Sequence, residues 1–314
     1  MLIVILWLML SSATAQVPAV EQAKKYFEVK KYAEARKILL SVKEETKDYA
    51  AAQFYLGRIS FDEKNYEDAA EYFEEAVEVN TKNAEYYTWL GDTYGTIASD
   101  ANPLKQGMLA PKMKAAWEQA ILLDATSINP RLSLIEYYTQ APGFMGGSYE
   151  KAHEVANQIK KLNAAQGHRA AGNVYFRQEK FSEAEKEFTA MVKADPNTAS
   201  SLVNFYVNQK LYTKAFAVNE ELIKRNANDM LAVYQAGRIS AISGERLDTG
   251  EANLLKYLQY TPKPGEPSHA GAHMRLGNIY EKRGKKGEAK KAYETSLKLD
   301  ANMKEAKEGL DRLK

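Results

Sequence analysis

Residues 55–69 read YLGRISFDEKNYEDA, and residues 89–91 read WLG. The two Leu-Gly pairs place Gly57 and Gly91 34 residues apart, and the same 34 residues separate Ala35 from Ala69. A short lead-in to alanine returns along the chain: YAEA (32–35), YEDA (66–69), YEKA (149–152), FSEA (181–184), YTKA (212–215) and KGEA (286–289). Self-similarity at a fixed period of about 20–50 residues marks a repeat architecture. One such unit cannot bury its apolar face alone, so the units must stack.

Composition agrees with helices. The 314 residues include only 9 Pro and 18 Gly beside 20 Tyr, and Ala, Glu and Lys are abundant, so helix breakers are few. Hydrophobic residues at 45% and charged residues at 27% allow a packed core. Lys and Arg total 43 against 41 Asp and Glu, a balance of +2 that gives no general field for nucleic acid or an acidic membrane surface. The chain has no cysteine, which excludes disulfides, thiolate zinc sites, iron–sulfur clusters and cysteine nucleophiles.

The pattern resembles the tetratricopeptide repeat family: Trp-x2-Leu-Gly-x2-Tyr, then Ala-x3-Phe, then Pro, over about 34 residues. Leu90-Gly91-x2-Tyr94 carries the first part. Ala171-Gly172-x2-Tyr175 continues into Ala184-x3-Phe188 and Asp195-Pro196, and Leu276-Gly277-x2-Tyr280 into Ala289-x3-Tyr293. The small residue opening each second helix falls at 35, 69, 113 (a Met), 152, 184, 215, 250 and 289. The resemblance implies an all-α fold, a right-handed superhelical solenoid of antiparallel helix pairs. Its units would be 16–49, 50–83, 84–127, 128–164, 165–195, 196–229, 230–269 and 270–303, with a capping helix at 304–314. Gly or Ala at the seams would let paired helices approach, while Tyr94, Trp117, Phe188 and Tyr293 would fill the space between neighbours.

Three segments depart from the period. Residues 96–112 (TIASDANPLKQGMLAPK) and 139–149 (TQAPGFMGGSY) carry Pro, Gly and Asn and read as loops. In the second, Phe144 and Met145 lie between glycines, so they either tuck into a groove or face a partner. Residues 261–268 (TPKPGEPS) read as a stiff linker before the final unit.

In tetratricopeptide arrays the first helices line the concave face. The matching positions give Arg58, Phe61, Asp62, Glu85, Asp92 and Glu136 in the first half, mainly acidic. The second half gives Arg169, Asn173, Arg177, Asn204, Asn208, Arg238, Asn278 and Lys282, basic with amides. Arg supplies paired donors for a carboxylate and Asn can bond a peptide backbone, so the lining suits an acidic peptide. It looks like the carboxylate-clamp arrays that hold chaperone C-termini. Arg169 and Asn173 match the clamp's first Lys and Asn, but Leu231 and Gln235 stand where the clamp needs Lys and Arg.

Catalytic signatures are absent from the sequence: no Gly-x-Ser-x-Gly, Walker loop, His-Glu-x-x-His or dinucleotide fingerprint occurs. The i, i+4 pair His269 and His273 lacks a third ligand at fixed spacing, so neither a metal nor a cofactor is expected. Residues 1–10 (MLIVILWLML) and the small-x-small Ala13-Thr14-Ala15 form an export-signal pattern cut after Ala15. The run is shorter than the roughly 20 apolar residues of a spanning helix, and no comparable apolar run follows. The expectation is an exported, periplasmic or extracellular, non-enzymatic scaffold binding a protein or peptide. The alternative is a structural subunit of an envelope assembly or secretion complex. A third reading, an enzyme or small-ligand binder with the 96–112 and 139–149 loops as a lid, would require a deep pocket beside Phe144 with a buried carboxylate.

Overall fold

The computed structural model describes residues 18–314; the export-signal pattern lies outside the described residues. All regular structure among them is helical: seventeen α-helices and two short 3-10 turns. The chain divides between Leu162 and Asn163 into two compact units. The first contains α1 (Ala19–Glu28) paired with α2 (Tyr32–Leu39), α3 (Tyr49–Asp62) with α4 (Tyr66–Val79), α5 (Ala84–Ser99) with α6 (Pro103–Leu123), and α7 (Asn129–Gln140) with α8 (Tyr149–Leu162). The second contains α9 (Ala164–Arg177) paired with α10 (Phe181–Ala194), α11 (Ala199–Asn208) with α12 (Tyr212–Arg225), α13 (Met230–Ser243) with α14 (Leu247–Tyr257), and α15 (His269–Lys282) with α16 (Lys286–Leu299). The ninth helix of this unit, α17 (Lys304–Arg312), packs on α15 and α16. Within each unit the second helix of one pair lies against the first helix of the next. The all-α, paired-helix expectation therefore holds.

The seam residues explain the pairing. Ala35, Ala69, Ala152, Ala184, Ala215 and Ala289 are fully buried. Four residues on from Ala69, Met113, Ala184 and Ala289, one helical turn further along the same face, a large ring covers the partner's glycine. Phe73 lies over Gly57, Trp117 over Gly91, Phe188 over Gly172 and Tyr293 over Gly277. A Cβ on Gly91 would sit 2.5 Å from Trp117 Nε1, which no side chain tolerates without movement. Met113 keeps this register, because Trp117 follows it by the same four residues that separate Ala69 from Phe73.

Five pairs share one turn. Lys30, Lys64, Glu179, Lys210 and Gly284 adopt positive φ, between 56° and 71°. Each time the next residue's N–H reaches the carbonyl five residues back, as Lys31 to Tyr26 and Lys180 to Tyr175, while the left-handed residue bonds three back. These are Schellman closures, which satisfy the last carbonyls of the first helix and turn the chain sharply.

The three other pairs are irregular, and here one expectation is corrected. Residues 96–112 do not form a loop. α5 runs from Gly91 to Ser99, three residues further than α3 runs from Gly57 to Asp62, and α6 begins at Pro103, ten residues before Met113. Asn102 caps α6 by accepting from Lys105 N at 3.0 Å, with Pro103 at the first helical position. Asn and Pro there start a helix; only Pro111 lies inside it. Residues 141–148 do leave the helix, and Gly143–Met145 forms a 3-10 turn. Gly147 lies against the Ala141 carbonyl, leaving no room for a Cβ. Residues 261–268 stay outside helices until Ser268 caps α15, and Tyr257 donates to the Pro267 carbonyl at 2.7 Å.

Candidate functional site

In the second unit, three successive first helices meet through polar side chains. Arg238 on α13 donates to Asn204 on α11 at 2.8 Å and to its own helix neighbour Gln235 at 2.9 Å. Both acceptors are neutral. Arg275 on α15 lies close enough to add to the effect of burial, and the two together push the Arg238 guanidinium below its ordinary pKa. The Arg275 Nε is buried without a hydrogen-bond partner. No carboxylate pairs with either guanidinium among the described residues. Two arginines therefore share a partly desolvated surface with amides and no counterion, an arrangement suited to a carboxylate.

The other expected residues are distributed around this centre. Arg169, Asn173 and Arg177 are exposed at successive turns of α9. Asn208 is exposed one turn beyond Asn204. Asn278 is engaged within its own repeat: Tyr293 donates to its Oδ1 at 2.7 Å, and its amide points to Met274 Sδ at 3.5 Å. Lys282, Asn278, Glu281, Arg312 and Ala241 line a hollow of about 450 Å³. Glu281 there takes a two-pronged contact from Arg312 at 2.8 and 2.9 Å. Arg275 stands two residues before Gly277, a position that the repeat pattern does not assign to the concave face. Gln235 stands two residues before Gly237, three before Arg238 and on the same helix face; that recurrence of polar residues was the available signal.

In the first unit the expected acidic lining is largely engaged. Arg58 on α3 stacks between rings, 3.8 Å from the Trp89 centroid, 5.2 Å from Phe27 and 5.8 Å from Phe54. Phe61 packs edge-on to Trp89. Tyr32 donates to Asp62 at 2.7 Å, and Glu85 is exposed in the first turn of α5. Asp92 differs from these. Its Oδ1 accepts from Trp117 Nε1 and from Ser133 Oγ, each at 2.8 Å. Burial pushes its carboxyl above the ordinary value and Glu136 adds to that, while the Ser133 and Trp117 hydrogen bonds pull it down.

Asp92 lines a cavity of about 560 Å³ between α5, α6, α7 and the 141–148 turn. Phe144 and Met145 part company there. Phe144 is 87% exposed, whereas Met145 is partly buried and lines the cavity. Its carbonyl accepts from the Tyr137 hydroxyl, and its methyl lies 3.6 Å from where a Cβ of Gly107 would be.

The histidines are occupied separately. His168 Nδ1 lies 2.7 Å from Glu187 and His269 Nε2 lies 2.7 Å from the Tyr260 carbonyl. Burial, with His269 nearby, lowers the pKa of His273. No helix among the described residues is long and apolar enough to cross a membrane.

The arrangement defines an array of helix pairs with polar first-helix faces, and comparison with known proteins gives its class. Tetratricopeptide repeat models match residues 20–92 and 270–302, so these two segments are similar to tetratricopeptide repeats. It shares its fold with a tetratricopeptide repeat protein from Parabacteroides merdae at 13% identity, over 94% of this chain and 97% of that one, with a TM-score of 0.50. MamA aligns at 19% identity over 57% of this chain and 96% of its own, with a TM-score of 0.46. YrrB, described as having an unusual peptide-binding site, aligns at 18% identity over 77% and 99%, with a TM-score of 0.39. No curated protein sequence matches the chain.

Proposed function

We propose that this protein is a non-enzymatic interaction scaffold whose second unit binds an acidic segment of a partner protein along α11, α13 and α15. The observation that carries this reading is the Arg238–Arg275 pair: Arg238 is bonded to two neutral amides, and Arg275 beside it has a buried, unpaired Nε. A buried donor left unpaired costs about 1–3 kcal/mol, and an incoming carboxylate would remove that cost. Asn204 and Gln235 orient Arg238, while Arg169, Asn173 and Arg177 on α9, with Asn208, extend the polar surface to residues further along the segment.

The test uses surface-immobilised peptides, acidic and neutral, against the full chain. Saturable binding to acidic peptides is expected, weakening as salt screens the charges and lost in Arg275→Glu. Equal binding of neutral peptides, or an unaffected Arg275→Glu variant, would end this reading. The proposal includes export with removal of residues 1–15. The protein recovered from its host is then expected to begin at Gln16, and a retained Met1 by mass spectrometry would refute it.

A further inference from the structure

The cavity in the first unit has the opposite chemistry and exists only because the repeat is irregular there. The longer α5 and α6 supply Thr96, Ser99 and Gln106, and the 141–148 turn supplies Pro142 and Met145. No Lys, Arg or His lines it; Asp92 and Glu136 do. The nearby lysines are engaged with other carboxylates: Lys105 with Glu67, Lys112 with Glu74 and Lys114 with Glu118. Its volume of about 560 Å³ falls in the range of small-ligand sites, about 300–1,000 Å³.

We propose that this cavity binds a primary ammonium group carried on a short aliphatic arm, with Asp92 as its principal anchor. The charge fits because two carboxylates face a cavity lined by no cation. The anchoring atom is defined: both hydrogen bonds to Asp92 end on Oδ1, which leaves Oδ2 for the ligand. Glu136 is held through Oε1 by the Gln140 amide at 2.7 Å, which leaves its other oxygen. Thr96 gives its proton to the Asp92 carbonyl at 2.9 Å, so toward the cavity its hydroxyl is an acceptor. Single oxygens from separate residues suit the three diverging donors of an ammonium. A guanidinium fork would want both oxygens of one carboxylate, and Oδ1 of Asp92 is taken. Trp117, Met113, Met145 and Tyr137 provide an apolar, aromatic wall for methylene groups and for the cation itself.

That ammonium has two sources, a free diamine or the lysyl side chain of a peptide, and calorimetry on the full chain separates them. The probes are cadaverine, a blocked Gly-Lys-Gly peptide, and the same peptide with acetylated lysine. One-to-one binding of cadaverine alone supports a free-amine site; binding of the lysyl peptide supports a side-chain site. In either case the acetylated peptide should not bind, and Asp92→Asn should weaken affinity by at least about ten-fold, the loss of a charge-assisted contact. That variant keeps an oxygen for Trp117 and Ser133, and circular dichroism checks that it folds. Glu136→Gln, at an exposed position, should weaken binding by a smaller factor without touching the core. Binding of neither amine, equal binding of the acetylated peptide, or indifference to both substitutions overturns the proposal.

Discussion

At the scale of single residues, the small side chains at the helix seams decide how closely each pair approaches. Gly91 is the most consequential, because the ring it admits is also the donor that holds Asp92. Gly91→Ala should push Trp117 outward and lower stability by about 1–3 kcal/mol, the usual cost of overpacking. Denaturant titration measures the loss. A variant as stable as the wild type would show that the seam accommodates a methyl group. Gly57 and Gly91 were legible in the sequence, since close approach leaves a residue-level mark at a constant spacing. Asp92 was legible as a surface-lining acid, but its hydrogen bonds were not. Ser133 lies 41 positions away, and no local pattern connects the two.

Among the elements, regular and irregular pairs follow different rules. In the regular pairs a Schellman turn with one left-handed residue ends the first helix, and four of the five use Lys or Glu rather than Gly there. Among these five turns, a search of the sequence for glycine finds only Gly284. The 96–112 segment departs from the expected loop for a related reason. Asn102 and Pro103 are loop formers by composition but helix starters by position, and only the backbone shows which role applies. The C-terminal helix α17 packs on α15 and α16, and its docking makes a pH prediction. The Glu281 carboxyl on α15 is held below its ordinary pKa chiefly by the Arg312 hydrogen bonds from α17, aided by Tyr293 and opposed by burial. A depressed folded pKa contributes stability that is fully present above the unfolded carboxylate value, about 4.3, and is lost as pH falls through the folded value. Arg312→Ala should therefore destabilise the protein at neutral pH and less so in acid. Thermal melts at the two pH values should show the gap to wild type narrowing, and a constant gap would contradict the assignment.

For the whole molecule, the sequence determined the class of architecture and the division of chemistry between its halves. A repeat writes the same small and large residues at the same places each time, because every unit must bury its face against similar neighbours. The period is thus visible without coordinates, as is the contrast between an acidic, aromatic first half and a basic, amide-rich second half. Tertiary structure alone decided what surrounds those charges. Arg58 lies among rings from α1, α3 and α5, while Arg238, on an equivalent first helix, bonds to two amides and has Arg275 beside it. The longer α5 and α6 enclose a cavity where the sequence indicated only a loop. The physical reason is that burial and pairing depend on side chains brought together from separate helices, whereas the repeat pattern records only what each helix needs in order to pack.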